Sequence, residues 1–174
     1  MQITDKIMAD VINTMVIVCD TREQKNQHIK EYFDNKEINY VTERLESGDY
    51  SVTFPKYPQL KLDFSILVER KNSLDEIAGN FTKGRPRFVA EFERTGESKI
   101  HIVIENATWK KLFAGSYRSQ LPPQSMLAGI MTWHNRYNSP VWFCNKDESG
   151  IIIYNIIKYF IMEKLKNIKK TVDK

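Results

Sequence analysis

Four short stretches of this chain hold residues that could do chemistry together. In order they are Asp20-Thr21-Arg22-Glu23, Gly48-Asp49-Tyr50, Glu69-Arg70-Lys71 with Asp75, and Gly84-Arg85-Pro86-Arg87. Glu69 and Lys71 are separated by one residue. In a strand, residues i and i+2 point to the same face, so these two share a face and Arg70 points the other way. If the strand carrying Asp49 pairs with the strand carrying Glu69, two carboxylates and one ammonium meet. Clustered carboxylates repel one another and stay ionised only when a cation neutralises them. Hard oxygen ligands suit Mg²⁺ or Mn²⁺, which keep several waters and take one or two carboxylates from the protein. Phosphodiester cleavage needs a nucleophilic water and charge stabilisation at the phosphoryl and leaving oxygens, which one or two metal ions supply. A lysine in the same site orients the water, helps to deprotonate it, or stabilises the developing charge.

The elements must bring these residues to one place. Residues 15–19 form a β-branched run that predicts a buried strand ending at Asp20. Residues 24–35, with Ile29, Tyr32 and Phe33, predict an amphipathic helix. Strands are expected at 39–44, 48–54 and 62–69, the last returning antiparallel to the one before it across a loop marked by Pro55 and Pro58. Asn72-Ser73 with Glu76 is a helix-start signal, and that helix should run to about residue 80. Residues 84–87 read as a basic turn, followed by a helix ending near Gly96. A strand at 99–105, a helix at 121–137, a strand at 141–144 and a long apolar helix at 149–167 complete the series. Strand, helix, a run of strands, then alternating helices and strands predicts an α/β sandwich around a mixed sheet flanked by helices.

The ordered set Asp20-Thr21-Arg22-Glu23, Gly48-Asp49 and Glu69-Arg70-Lys71-x-x-x-Asp75 resembles the signature of the XPF family over residues 15–105. That family comprises structure-specific endonucleases with a restriction-endonuclease-like, PD-(D/E)xK core. The resemblance implies that Asp49 and Glu69 are metal-binding carboxylates, that Asp20 completes the metal site, and that Lys71 is the catalytic lysine. Arg22, Glu23, Arg70 and Asp75 match motif positions needed for activity. Arg70 and Asp75 are expected either to take part in catalysis or to pair and brace the strand-to-helix junction. Lys83, Arg85 and Arg87 are expected at the DNA, Arg85 in a Gly-Arg step that the family shares. The tandem helix-hairpin-helix module of many members has no counterpart in the sequence, nor has a helicase domain. The chain therefore reads as one nuclease domain over residues 1–174, with its core at about 15–167, similar to stand-alone phage and prophage members.

Composition sets the outer bounds. The chain has 174 residues, 41% hydrophobic and 28% charged, with a formal net charge of +4. These values fit one ordinary globular domain and permit a nucleic-acid partner. Cys19 and Cys144 read as buried, reduced thiols, and without C-x-x-C spacing a zinc site is not expected. Nothing resembles a signal peptide or a membrane span, so a cytoplasmic protein is expected, nuclear if eukaryotic. His28, His101 and His134 are scattered and read as structural. Tyr50, Trp109, Tyr117 and Trp133 read as packed aromatics. The last helix carries apolar residues on more than one face, expected to serve the core on one side and a homodimer interface on the other. The function expected is cleavage of branched, flap or junction DNA in repair or recombination. A catalytically silent DNA-binding or dimerisation partner, a Holliday-junction resolvase and a less selective duplex nuclease are the alternatives.

Overall fold

The computed structural model of the protein describes residues 3–172. Six strands form one mixed sheet: β1 (Val16–Asp20), β2 (Tyr40–Glu43), β3 (Tyr50–Thr53), β4 (Ile66–Lys71), β5 (Lys99–Glu105) and β6 (Val141–Cys144), in the order β2-β1-β3-β4-β5-β6. β3 runs antiparallel to both β1 and β4, whereas β1 with β2, β4 with β5 and β5 with β6 are parallel. The antiparallel return into β4 is as the sequence predicts. The parallel half uses helical crossovers, as parallel pairing requires.

Seven helices cover the two faces. α1 (Asp5–Thr14), α2 (Gln27–Asn35) and α7 (Ser149–Val172) lie on one. α3 (Leu74–Phe81), α4 (Arg85–Glu93), α5 (Trp109–Phe113) and α6 (Pro123–Tyr137) lie on the other. Each face has its own core. Ile17, Cys19, Tyr50, Val52, Ile66, Val68 and Val103 point toward α2 and α7. Leu67, Ile100, Ile102 and Ile104 point toward α3 and α6, where Phe81, Phe88, Phe92 and Trp133 pack ring against ring. Period-two alternation in β4 and β5 is thus satisfied on both sides, giving near-continuous apolar runs.

Several local expectations are revised. The helix α1 was not foreseen, because its apolar residues are interleaved with charges. Thr4 caps it by accepting a hydrogen bond from the Ile7 N–H, and Val11 is fully buried. Strand β4 begins and ends later than expected, at Ile66 and Lys71, because residues 62–65 turn, with Phe64 in a left-handed conformation. Residues 84–87 are not a free turn. Helix α4 starts at Arg85 with Pro86 in its first turn, where a missing N–H costs nothing. The segment 107–120, between the predicted strand at 99–105 and the predicted helix at 121–137, contains α5. The wide apolar surface of α7 is largely met within the chain, since α1, α2, β3, β4 and β5 all pack on it. Both cysteines are buried free thiols, and burial pushes each up to about 12. Among the described residues no helix is long and apolar enough to cross a membrane.

Candidate active site

Register decides which side chains meet. Cys19 stands opposite Tyr50, and Tyr50 opposite Val68, all three facing α2 and α7. Their neighbours Asp20, Asp49 and Glu69 therefore project to the opposite face, toward α3 and α4, and Lys71 joins them by the i, i+2 rule. Main-chain bonds knit the three strands at this level: the Asp20 N–H donates to the Asp49 carbonyl at 2.8 Å and the Asp49 N–H to the Val68 carbonyl at 2.8 Å. Gly48 makes the approach possible. Its φ is +73°, and a Cβ there would stand 3.2 Å from Leu67 Cβ.

Asp49 Oδ2 accepts the Arg70 main-chain N–H at 2.7 Å. Loss of water around Asp49 and the nearby charge of Glu23 push its carboxyl up to about 7, against the pull of that N–H and of Lys71. Glu69 is 3% exposed. Burial, then repulsion from Asp49, raise its carboxyl well above the carboxylate range despite Lys71. One Glu69 oxygen, Oε1, is bonded to Lys71 Nζ. The other, Oε2, is buried with no partner. Burial works against the Lys71 ammonium, but Glu69 and Asp49 outweigh it, so the group is held above the ordinary lysine range. Its Nζ lies 5.5 Å from the centre of the Phe88 ring on α4 and 3.8 Å from Glu76.

Asp20 lies at the same level, but its carboxylate is fully engaged. Oδ1 accepts from the Arg22 N–H and Nε, both at 2.7 Å, while Oδ2 accepts from Arg22 Nη2 at 3.0 Å and the Leu45 N–H at 2.6 Å. Burial alone would raise this carboxyl, yet these bonds hold it below the ordinary range. Asp20, expected to complete a metal site with Asp49 and Glu69, is thus turned toward Arg22 and Leu45. Among the described residues no three His, Cys, Asp or Glu side chains are grouped so as to hold an ion. The cause is local: Arg22, two residues on, folds back over Asp20 and also reaches the Leu45 carbonyl at 2.8 Å.

The other face of β4 carries a second polar cluster. Arg70 Nη1 donates to Glu105 Oε2 at 2.8 Å and Nη2 to Glu23 Oε1 at 2.7 Å. Glu105 Oε1 lies 2.8 Å from His28 Nε2, which is also 3.1 Å from Ser149 Oγ. The expected Arg70–Asp75 pair is therefore corrected. Alternation sends Arg70 toward α2 and α7, whereas Asp75 sits on α3 across the sheet. Asp75 Oδ1 instead accepts the Arg118 and Ser119 N–H groups at 2.7 and 2.8 Å, tying down the segment after α5. Lys83, Arg85 and Arg87 are exposed around the start of α4, with the Arg85 guanidinium 5.3 Å from the Trp133 ring centre.

Two acids, Glu105 and Glu91, were missed by the sequence reading. Glu105 joins the Arg70 cluster, together with His28, which was read as structural. Glu105 ends an apolar strand as a single acid with no periodic signal of its own. Glu91 lies on α4, and its charge acts on Asp49, Glu69 and Arg22 alike. Its one legible sign was its place three residues after Phe88, on the same side of the helix.

The ERCC4 domain family matches residues 19–156. Two solved structures are similar. XPF from Aeropyrum pernix aligns with a TM-score of 0.62 and 18% identity, over 83% of this chain and 60% of that one. XPF from Aeropyrum pernix in complex with DNA aligns with a TM-score of 0.58 and 16% identity, over 90% of this chain and 65% of that one. The chain thus spans a little under two thirds of the length of these relatives. No curated protein matches it by sequence. The mixed six-stranded sheet flanked by helices is the restriction-endonuclease-like fold of the XPF nuclease domain. With a match that runs from the end of β1 into α7 and takes in every residue of the site above, the chain belongs to the ERCC4-domain family.

Proposed function

We propose that the protein is a DNA endonuclease that depends on Mg²⁺ or Mn²⁺ and prefers branched or flap-containing DNA. The observation that carries the reading is the face of Asp49, Glu69 and Lys71, with Glu69 Oε2 buried and partnerless. A buried carboxylate oxygen without a protein partner is open to water or to an ion. Its donor set is two carboxylates of raised proton affinity, which are hard oxygen ligands suited to these ions. A divalent cation bound there would supply charge neutralisation and an activated water.

The chain's own residues do the rest. Asp49 and Glu69 hold the ion. Lys71, kept charged at the edge of the site, orients the attacking water and stabilises charge developing on the phosphate. Arg22, held in place by Asp20 and more than half exposed, offers a further cation to a phosphate oxygen. Lys83, Arg85 and Arg87 give the DNA backbone a basic approach. Repair or recombination is the setting that branched substrates imply. The Aeropyrum pernix relative was solved with DNA, which supports nucleic acid as the substrate.

A homodimer is part of the proposal. Trp142 on the edge strand β6 and Ile151 and Tyr159 on α7 remain exposed, although most of α7 is covered within the chain. A size measurement in solution tests it.

The deciding experiment is a cleavage assay on a flap, a Holliday junction and plain duplex, with Mg²⁺ and with Mn²⁺. Cleavage of the branched substrates is expected, and Asp49→Asn or Lys71→Ala should abolish it while DNA binding persists. Absence of cleavage under every condition would favour a silent binding partner. Full activity in either variant would overturn the assignment.

A further inference from the structure

Engagement of Asp20 by Arg22 and Leu45 leaves the cation site one acid short of the three expected. Asp49 and Glu69 remain to face the ion, with Lys71 held between Glu69 and Glu76.

Helix α4 has an acid in the right position. Glu91 stands three residues after Phe88, whose ring lies 5.5 Å below Lys71 Nζ, so both side chains leave the same side of the helix. The Glu91 carbonyl accepts the Ser47 hydroxyl at 3.3 Å, fixing this turn of α4 two residues from Asp49. The residue is half-buried, and among the described residues its carboxylate makes no hydrogen bond or ion pair. Its charge acts on both the Asp49 and the Glu69 carboxyls, so the acid lies near them. Glu69 Oε2, buried and without a protein partner, is free to accept from water or an ion there.

We propose that Glu91 is the third carboxylate of the divalent-cation site, taking the place expected for Asp20 and acting through water that the ion retains. Water-mediated contact is the ordinary way for these ions to use a carboxylate beyond the one or two that bind directly. Asp20 then serves as the anchor of Arg22 rather than as a ligand.

This inference rests on the divalent-cation reading above, and the test separates the two. Mn²⁺ binding is measured by the loss of the free-ion electron paramagnetic resonance signal, without DNA, for the wild type, Glu69→Gln, Glu91→Gln and Glu93→Gln. Glu93 is an exposed acid on the same helix, so its variant controls for net charge. Far-UV circular dichroism verifies that each is folded, and Glu91→Asp, which keeps the charge, serves if Glu91→Gln is not. Glu91→Gln should bind Mn²⁺ about ten-fold more weakly, the order of loss seen for outer residues of metal sites, with Glu93→Gln near wild type. Glu91→Asp should fall between them. Binding by Glu91→Gln equal to wild type, or an equal loss in Glu93→Gln, overturns the role of Glu91 while leaving the cation reading intact. Failure of the wild type to bind, or full binding by Glu69→Gln, overturns both.

Discussion

Arg70 donates its main-chain N–H to the Asp49 carboxylate at 2.7 Å while its guanidinium, on the far side of the sheet, is clamped by Glu105. One residue therefore joins the candidate site to a buried polar cluster behind it. The cluster sets the position of β4, and β4 sets Glu69 and Lys71.

Removing that clamp should be costly. Arg70→Met leaves Glu105, fully buried, and Glu23 without their shared cation. Breaking a buried pair by removing one partner typically destabilises by ~3–5 kcal/mol. Urea denaturation should show a lowered midpoint, and an unchanged midpoint would contradict the bracing role.

Stability without metal should depend on pH in the direction set by Asp49. Its folded-state carboxyl is raised from an ordinary 3.8 to about 7. Between these values the folded protein binds more protons than the unfolded chain. Stability from this group is fully present below about 3.8 and is lost as pH rises through about 7. Asp49→Asn, whose amide oxygen can still accept the Arg70 N–H, removes the penalty. In chelator at pH 8 the variant should be more stable than wild type by at least ~1 kcal/mol, one pKa unit being worth about that much. The gain should shrink toward pH 5. A melting-temperature series in chelator measures it, and a variant gain independent of pH would refute the assignment.

Metal should reverse that penalty. An ion that binds the folded state alone stabilises it by ~2.7 kcal/mol at one hundred times its dissociation constant. Added Mn²⁺ should raise the melting temperature at pH 8 and do so less at pH 6, because protons compete for Asp49 and Glu69. Glu69→Gln should abolish the rise. A rise of the same size in that variant would place the ion elsewhere.

Asp75 should act through the segment it holds. Asp75→Ala strips two main-chain N–H groups, Arg118 and Ser119, of their acceptor. Amide exchange at these two positions should accelerate, while the exchange of β4 stays slow. Asp75→Asn, which retains an acceptor oxygen, should restore much of the protection. Faster exchange throughout the protein would instead point to a global loss of stability.

Much of this was legible in the sequence, for reasons that show where legibility stops. Glu69 and Lys71 were placed on one face by strand alternation, and the antiparallel return of β3 into β4 brought Asp49 beside them. Those inferences needed only periodicity and a glycine turn. The partners of Arg70 could not be read the same way. Glu105 and His28 reach it from β5 and α2, and their encounter depends on which strand neighbours which. Asp20 was rightly placed in space, but its engagement by Arg22 is a side-chain rotation, which spacing does not encode. Glu91 lies in a helix whose pattern announces only Phe88 and Phe92. The Gly-Arg-Pro-Arg stretch has the composition of a turn, and its helical state follows from packing of Phe88 and Phe92 beneath it.

The alternation of β4 has a consequence for how the chain tolerates change. Three successive residues, Glu69, Arg70 and Lys71, serve two compartments that share no atoms except this backbone. Adding or deleting one residue within the strand would swap the contents, driving Arg70 to the side of Asp49 and stranding an acid and an ammonium in the interior behind it. The constraint reaches back into the loop before it: Leu62 is buried, the Phe64 N–H donates to the Val52 carbonyl at 2.9 Å and the Ser65 carbonyl accepts the Lys99 N–H at 3.0 Å. Length variation should therefore be tolerated at the exposed tip around Pro58 and ruinous from Leu62 onward, so freedom ends several residues before the strand itself begins.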